Sequence, residues 1–181
     1  MKPSFSEVVD LSRAVKVTLN EEDIKKVESF VNRIISKKKS EFHHKIDGHN
    51  EFKRWTTGIG GEIALEKLID KSFVDLSIGN SNDFHVPDLK SIGINAGVKT
   101  VEYGKFPIIF KKSYKPEIMV IKKDDHTFYV CGVADVDVLN KYQSEDLVLS
   151  PSLLARGTKT GFYGFQHLRQ FSNYSELKNN I

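Results

Sequence analysis

The chain of 181 residues lacks several features that mark particular protein classes. It has one cysteine, Cys131, so no internal disulfide can form. No apolar run approaches the roughly 20 residues that span a bilayer, and no linker, repeat or low-complexity tract interrupts the chain. We therefore expect one cytoplasmic domain over residues 1–181, with a helical N-terminal segment at about 1–55 and no membrane partner.

An excess of one charge sign is also missing. Lys and Arg together number 27 and Asp and Glu number 24, which gives a net charge of +3. The basic residues are nevertheless clustered. Because basic groups neutralise phosphates, the clusters predict a nucleic-acid surface, although solvated loops explain any single cluster equally well. The predicted contact residues are Lys105, Lys111, Lys112, Arg156 and Lys159.

Hydrophobic periodicity predicts an α/β or α+β domain with a mixed sheet. Helices are expected over 18–42, where Asn20 suits the N-cap, and over 56–72 and 135–142. Residues 43–55 are expected to form a loop or a short broken helix. Strands are expected over 73–78, 93–101, 116–123 and 127–134, with a further candidate over 160–168.

One lysine stands in a stretch that otherwise looks buried. In "GINAGVKTV" the side chains alternate between two faces, so Gly97, Lys99 and Val101 share one face. A partly desolvated ammonium group is costly unless a carboxylate, a metal-bound water or a phosphate compensates it. Asp88 precedes this strand across a predicted turn, and a hairpin would bring it close to Gly97 and Lys99.

The helix over 56–72 offers a second carboxylate. At about 100° per residue, Glu62 lies at the edge of the apolar face that should pack on the sheet. Glu62, Asp88 and Lys99 would then converge. Carboxylates are ligands for Mg²⁺, which retains waters and binds substrate phosphate, and a lysine can position a water or offset charge on the phosphate. The group predicts phosphodiester hydrolysis.

The residues Pro87-Asp88-Leu89, eleven positions before Lys99 in "GVKT", resemble the PD-(D/E)XK nuclease superfamily. The upstream "GGEIA" is similar to the helix that carries an additional metal-binding glutamate in many members, and "PEIMVIKK" with "FYVCGVA" is similar to the strand pair that completes their core. The resemblance implies a restriction-endonuclease-like fold, with a mixed central sheet flanked by helices, and DNA cleavage with Mg²⁺, for which Mn²⁺ can substitute.

The chain departs from the family pattern at one position. The acid that the family places two residues before the lysine is Gly97 here. Some members supply that carboxylate from another element, and Glu62 is the candidate expected to do so, because Gly97 leaves room beside it. Glu102 and Glu117 flank strands and are expected at the surface, unless a shifted register brings one of them into the site.

Other groups of residues are weaker candidates for a functional site. Asp83 is expected to cap a turn rather than bind metal, and His85 is expected to be a half-buried strand residue. The chain lacks a phosphate-binding loop of the GxxxxGK[ST] type, so no nucleotide cofactor is expected. His43, His44 and His49 do not have the spacing of a zinc site.

The sequence thus predicts a Mg²⁺-dependent endodeoxyribonuclease acting on double-stranded DNA, of a restriction, phage or homing type, and located in the host cytoplasm if phage-encoded. Glu62, Asp88 and Lys99 are the predicted catalytic residues, with Glu62 and Asp88 as metal ligands. A catalytically inactive DNA-binding module of the same fold, or a nuclease acting on RNA, is the alternative. The sequence leaves the choice between monomer and homodimer open.

Overall fold

A computed structural model of the protein describes residues 2–39, 48–77 and 87–181. The expectations for Asp83, His85, His43 and His44 lie outside these residues. In the described part the helices are α1 (Phe5–Val8), α2 (Glu21–Lys39), α3 (Gly48–Ile69), α4 (Val136–Lys141), α5 (Pro151–Ala155) and α6 (Tyr174–Asn179). The strands are β1 (Val15–Thr18), β2 (Gly97–Glu102), β3 (Ile108–Phe110), β4 (Glu117–Lys122), β5 (Thr127–Ala134), β6 (Gln143–Ser144) and β7 (Lys159–Phe162).

These strands form two sheets. A four-stranded mixed sheet has the order β1-β5-β4-β2, in which β2 runs parallel to β4 and the other pairs are antiparallel. A three-stranded antiparallel sheet has the order β3-β7-β6. The predicted α+β class with a mixed sheet flanked by helices is therefore confirmed.

Two hydrophobic cores cover the two faces of the four-stranded sheet. The first packs α2 and α3 against one face, where Val31, Leu65 and Val120 are fully buried. The second fills the space between the two sheets, around Met119 and Phe162. All six residues of β4 are buried, which explains the continuous apolar run in its sequence.

The helix predicted over 18–42 is confirmed in its main part by α2. The side chain of Asn20 accepts a hydrogen bond from the backbone N–H of Asp23 at 2.8 Å, and the carboxylate of Asp23 accepts one from the backbone N–H of Asn20 at 3.0 Å. This reciprocal pair satisfies two backbone donors at the start of α2. The helix predicted over 135–142 is confirmed by α4, which the Asp135 side chain caps.

Three local predictions were wrong. Residues 48–55, expected as a loop or broken helix, belong to the regular helix α3. The strand expected over 73–78 is absent from residues 73–77, because the Glu66 carboxylate accepts both the Phe73 and Val74 N–H groups at 2.8 Å and leaves no strand-like ladder there. The N-terminal segment at 1–55 is not purely helical, since it contributes β1 to the sheet.

Among the described residues, no helix combines the length and the apolarity that crossing a bilayer requires.

Candidate active site

Close packing of α3 on β2 determines where the predicted site lies. A side chain at Gly61 would collide with the hydroxyl of Thr100, so the two backbones approach as closely as glycine allows. The next residue along α3 is Glu62. Because α3 lies directly on β2, Glu62 is placed at the edge strand of the mixed sheet.

Glu62 is half-buried and lies near Asp88. Burial, followed by repulsion from Asp88 and then Glu66, raises the pKa of the Glu62 carboxyl to about 8. The group is therefore mostly protonated at neutral pH unless a cation compensates its charge. The repulsion between Glu62 and Asp88 indicates that these two acids lie near each other, as the sequence predicted. Lys99 does not lie on the same side of β2 as Glu62: Thr100 faces α3, so Lys99, its neighbour on β2, points to the other face of the sheet.

Asp88 is held at the beginning of β2 by a backbone hydrogen bond. Its Oδ2 accepts from the Val98 N–H at 2.7 Å. The predicted two-stranded hairpin is wrong, because residues 87–96 contain a turn and a 3₁₀ segment, Lys90–Ile92, rather than a strand. Asp88 nevertheless returns to β2 as expected, since the Leu89 N–H bonds to the Ala96 carbonyl at 3.3 Å and closes the loop.

The space beside Gly97 is filled by a carboxylate from the neighbouring strand. Gly97 of β2 is paired in register with Glu117 of β4. A Cβ built on Gly97 would collide with Oε2 of Glu117, and it would lie 3.0 Å from the carboxyl carbon of Glu117 and 2.9 Å from Nζ of Lys115. The carboxylate that the family places on β2 is thus matched in position by one that enters from β4.

Glu117 is buried, with 7% of its surface exposed, so the expectation that it lies at the surface was wrong. Within the described residues, its Oε2 atom has no hydrogen-bond partner. Burial raises the pKa of this carboxyl, the lysines Lys99, Lys115 and Lys159 oppose the rise, and Asp88 adds to it. A buried carboxylate oxygen with free lone pairs, facing several cations, suits a ligand rather than a structural ion pair.

Lys99 and Glu117 lie on the same face of the sheet. Lys99 is two residues after Gly97 on β2, and Glu117 is paired with Gly97, so strand alternation directs both side chains to one side. Val98, between Gly97 and Lys99, packs into the first core on the other side. Lys99 therefore lies on the side of the sheet that Glu117 occupies, and its positive charge opposes the rise in the pKa of the Glu117 carboxyl that burial causes.

Asp88 is the acid that interacts with both of the others, Glu62 and Glu117. We refer to Glu62, Asp88, Glu117 and Lys99 as the acid–lysine group. Over residues 2–39, 48–77 and 87–181, no three His, Cys, Asp or Glu side chains are close enough together to form a complete metal cage. Mg²⁺ commonly binds through one or two carboxylates, with waters and substrate phosphate completing its shell, and the described residues fit that mode.

Comparisons with protein-family models, with curated proteins and with solved structures find no match for this chain. The resemblance to PD-(D/E)XK nucleases therefore stays a prediction from the sequence motif.

The five predicted DNA-contact residues fall into two regions. Nζ of Lys105 donates a hydrogen bond to the carboxylate of Glu102 at 2.6 Å. Glu102 is the last residue of β2, and at about 3.3 Å per strand residue it lies about 16 Å from Gly97 at the other end. Lys159 interacts electrostatically with Lys99 and Glu117. Burial lowers the pKa of Lys159, and Lys99 and Arg156 lie close enough to lower it further. Lys111 forms an ion pair with Glu145, and Lys112 is exposed.

A local signal for the burial of Glu117 is present in the sequence, although Glu117 was expected at the surface. An acid opens "EIMVIK", in which the next four residues are apolar, and such a strand is buried on both faces. An acid at its first position is therefore desolvated. The pairing of β4 beside β2, which puts Glu117 next to Gly97, is a long-range feature that a single sequence does not reveal.

Proposed function

We propose that the protein is a Mg²⁺-dependent DNA endonuclease of the PD-(D/E)XK kind, in which the strand acid missing at Gly97 is replaced by Glu117. The observation that carries the proposal is the carboxylate of Glu117 in the space left by Gly97, with an unpartnered buried oxygen and with Asp88 and Lys99 as electrostatic neighbours. Neither a core position nor a surface ion pair explains that combination.

Two alternative pairs of carboxylates are candidates to hold a metal ion. Asp88 with Glu117 forms one pair and Asp88 with Glu62 forms another, and in each pair the repulsion between the two acids would be relieved by a divalent cation. A bound Mg²⁺ would supply charge neutralisation at the scissile phosphate and a more acidic water. Asp88 is common to both pairs, and its bond to the Val98 N–H fixes its position.

Lys99 has a separate role in the proposal. Its ammonium group can donate hydrogen bonds and shares a face of the sheet with Glu117, so it could orient a water molecule for in-line attack on phosphorus. It also offsets the negative charge that develops on the phosphate oxygens. Lys115 and Lys159, which face the same carboxylate, add positive charge where the phosphate would enter.

A plasmid assay tests this function. Purified protein with Mg²⁺ should convert supercoiled DNA to nicked or linear DNA, and EDTA should prevent it. Lys99→Ala should lower the cleavage rate by about 10²–10³-fold while DNA affinity changes only a few-fold. Lys105→Ala, at the far end of β2, is the control and should leave the cleavage rate close to that of the wild type.

Three results would contradict the proposal in whole or in part. Retarded but intact DNA with every divalent metal would favour a binding module that has lost its chemistry. Cleavage of RNA but not of plasmid would favour a ribonuclease. A folded Lys99→Ala variant that cleaves at the wild-type rate would remove Lys99 from the site.

A further inference from the structure

Two aromatic side chains are exposed near the acid–lysine group. Tyr114 has 64% of its surface exposed and Phe110 has 43%. Their ring centroids are 6.5 Å apart, with 45° between the ring planes. By contrast Phe162 and Phe165, which the sequence also places among basic residues, are buried in the second core and cannot stack on a ligand.

The exposed rings adjoin the proposed site through two lysines. Nζ of Lys159 lies 3.2 Å from the centroid of the Phe110 ring, and Lys159 interacts electrostatically with both Lys99 and Glu117. Tyr114 immediately precedes Lys115, whose Nζ lies 2.9 Å from the position a Cβ would take at Gly97. The two rings therefore form one surface with the lysines that surround the carboxylate of Glu117.

The charge around the rings favours a polyanion as the occupant. Residues 110–115 contain three lysines and no acid, and Arg156 and Lys159 lie beside them. Glu145 forms an ion pair with Lys111, so the cations that matter here are Lys112, Lys115, Arg156 and Lys159. Aromatic faces between cationic groups match the alternation of bases and phosphates in a nucleic acid strand. A second copy that met this surface with its own equivalent surface would bring like charge to it, which disfavours a symmetric contact here.

An intact duplex hides the faces of its bases, so stacking on exposed rings requires a nucleotide that is unpaired. We propose that Tyr114 and Phe110 form a stacking platform for an unpaired base of a DNA strand, and that the protein prefers DNA with a single-strand extension or junction next to the scissile phosphate. The position of the scissile phosphate in this inference rests on the proposed function, whereas the platform itself does not.

Binding in EDTA tests the platform without any cleavage. Three labelled DNAs of equal length are compared by fluorescence anisotropy: a blunt duplex, a duplex with a single-strand extension, and a single strand. The extended duplex also carries the fluorescent base 2-aminopurine at its first unpaired position, because stacking on an aromatic ring quenches the fluorescence of this base. We expect the wild type to bind the extended duplex more tightly than the blunt one and to quench the 2-aminopurine.

Tyr114→Ala should weaken binding to the extended duplex by about 5- to 150-fold, the range for losing one stacked base, and should abolish the quenching. Tyr114→Phe should retain both. Tyr103→Ala is the matched control and should bind as the wild type does. Tyr103 is likewise an exposed tyrosine, with Nζ of Lys123 3.5 Å from its ring centroid, but it lies one residue beyond the far end of β2.

Several outcomes would overturn the platform: equal wild-type affinity for blunt and extended duplexes, unchanged binding by Tyr114→Ala, or the same loss in Tyr103→Ala. Tighter binding of an RNA strand than of the matching DNA strand would overturn DNA as the occupant.

The same experiments distinguish a failure of the platform from a failure of the proposed nuclease function. Metal-dependent plasmid cleavage with no Tyr114 effect would refute the platform alone, whereas quenching without cleavage under any metal would refute the nuclease alone.

Discussion

Glu62 and Glu117 place carboxyl groups where an ionised acid is costly, and both have a raised pKa. The unfavourable ionisation changes the free energy of unfolding as well as the chemistry of the site. Each group binds a proton more tightly in the folded chain than in the unfolded chain, where a glutamate has its ordinary pKa near 4.5. Between that value and about 8 the folded state holds more protons, so the free energy of unfolding decreases as pH rises.

Because the free energy of unfolding decreases as pH rises, we predict that the Tm depends on pH in the absence of metal. In EDTA the Tm should fall from pH 5 to pH 8.5, with Glu62 contributing on the order of a few kcal/mol to the fall. Glu62→Gln should flatten the profile and raise the Tm at pH 8.5, as measured by circular dichroism. Glu28→Gln, at an exposed position of α2, is the control. A profile that Glu62→Gln leaves unchanged would show that Glu62 is solvated and not part of the acid–lysine group.

Residue-scale reasoning from the sequence identified Asp88, Lys99 and Glu62 because each has a local signal: a Pro-Asp pair, a charge inside a strand, and an acid at the edge of an apolar helix face. It missed Glu117 and Tyr114 for one reason. Whether a strand-end acid or a loop tyrosine is exposed depends on which strands lie beside it, and the β2–β4 and β3–β7 pairings are formed between residues far apart in sequence.

At the scale of elements, the contact between α3 and β2 positions the site. Three glycines occur in α3 near this contact, and they are not equivalent. A Cβ at Gly61 would collide with Thr100, whereas a Cβ at Gly58 would meet nothing within 4 Å. Gly61 is thus required by the close approach of a strand, and Gly58 only weakens the helix.

The two glycines give a matched pair of substitutions. Gly61→Ala should lower the free energy of unfolding by about 1–3 kcal/mol, because the added methyl group overpacks the α3–β2 contact. Gly58→Ala should raise it by roughly 0.5–1 kcal/mol through helix propensity. Urea denaturation measures both. Equal effects of the two substitutions would contradict the close packing of α3 on β2.

Elements with strong local patterns were predictable, and the rest were not. The strand predicted over 127–134 is β5 residue for residue, and α2 begins directly after its predicted cap, Asn20. The false strand after α3 failed because its backbone donors are taken by Glu66, a side chain seven and eight residues earlier. The short strand β1 was missed because its four residues show little pattern without their partner β5.

At the scale of the whole molecule, the basic residues separate into two ends of β2. Lys159 and Arg156 lie on the side of the acid–lysine group, and Lys105 and Lys123 lie at the other end. If DNA binds over the acid–lysine group, affinity should depend on salt through the first pair. The slope of log K against log salt decreases by about 0.9 for each phosphate contact that is lost from B-DNA.

Replacing Arg156 and Lys159 together by Ala should therefore reduce that slope by about 1–2. The matched double substitution of Lys105 and Lys123 should leave the slope close to the wild-type value. Anisotropy titrations at several salt concentrations in EDTA measure both. The reverse result would place the DNA at the far end of β2, away from Glu117.

The most direct test of the account is an exchange of the carboxylate between the two strands. Glu117→Ala should reduce Mg²⁺-dependent plasmid cleavage by about 10²–10³-fold. Gly97→Asp alone should also be impaired, because the new side chain collides with Glu117. The double variant Gly97→Asp/Glu117→Ala puts an acid back into the same space from β2, and it should recover a large part of the lost rate. A Glu117→Ala variant that cleaves like the wild type, or a folded double variant no better than Glu117→Ala, would contradict the claim that Glu117 supplies the missing carboxylate.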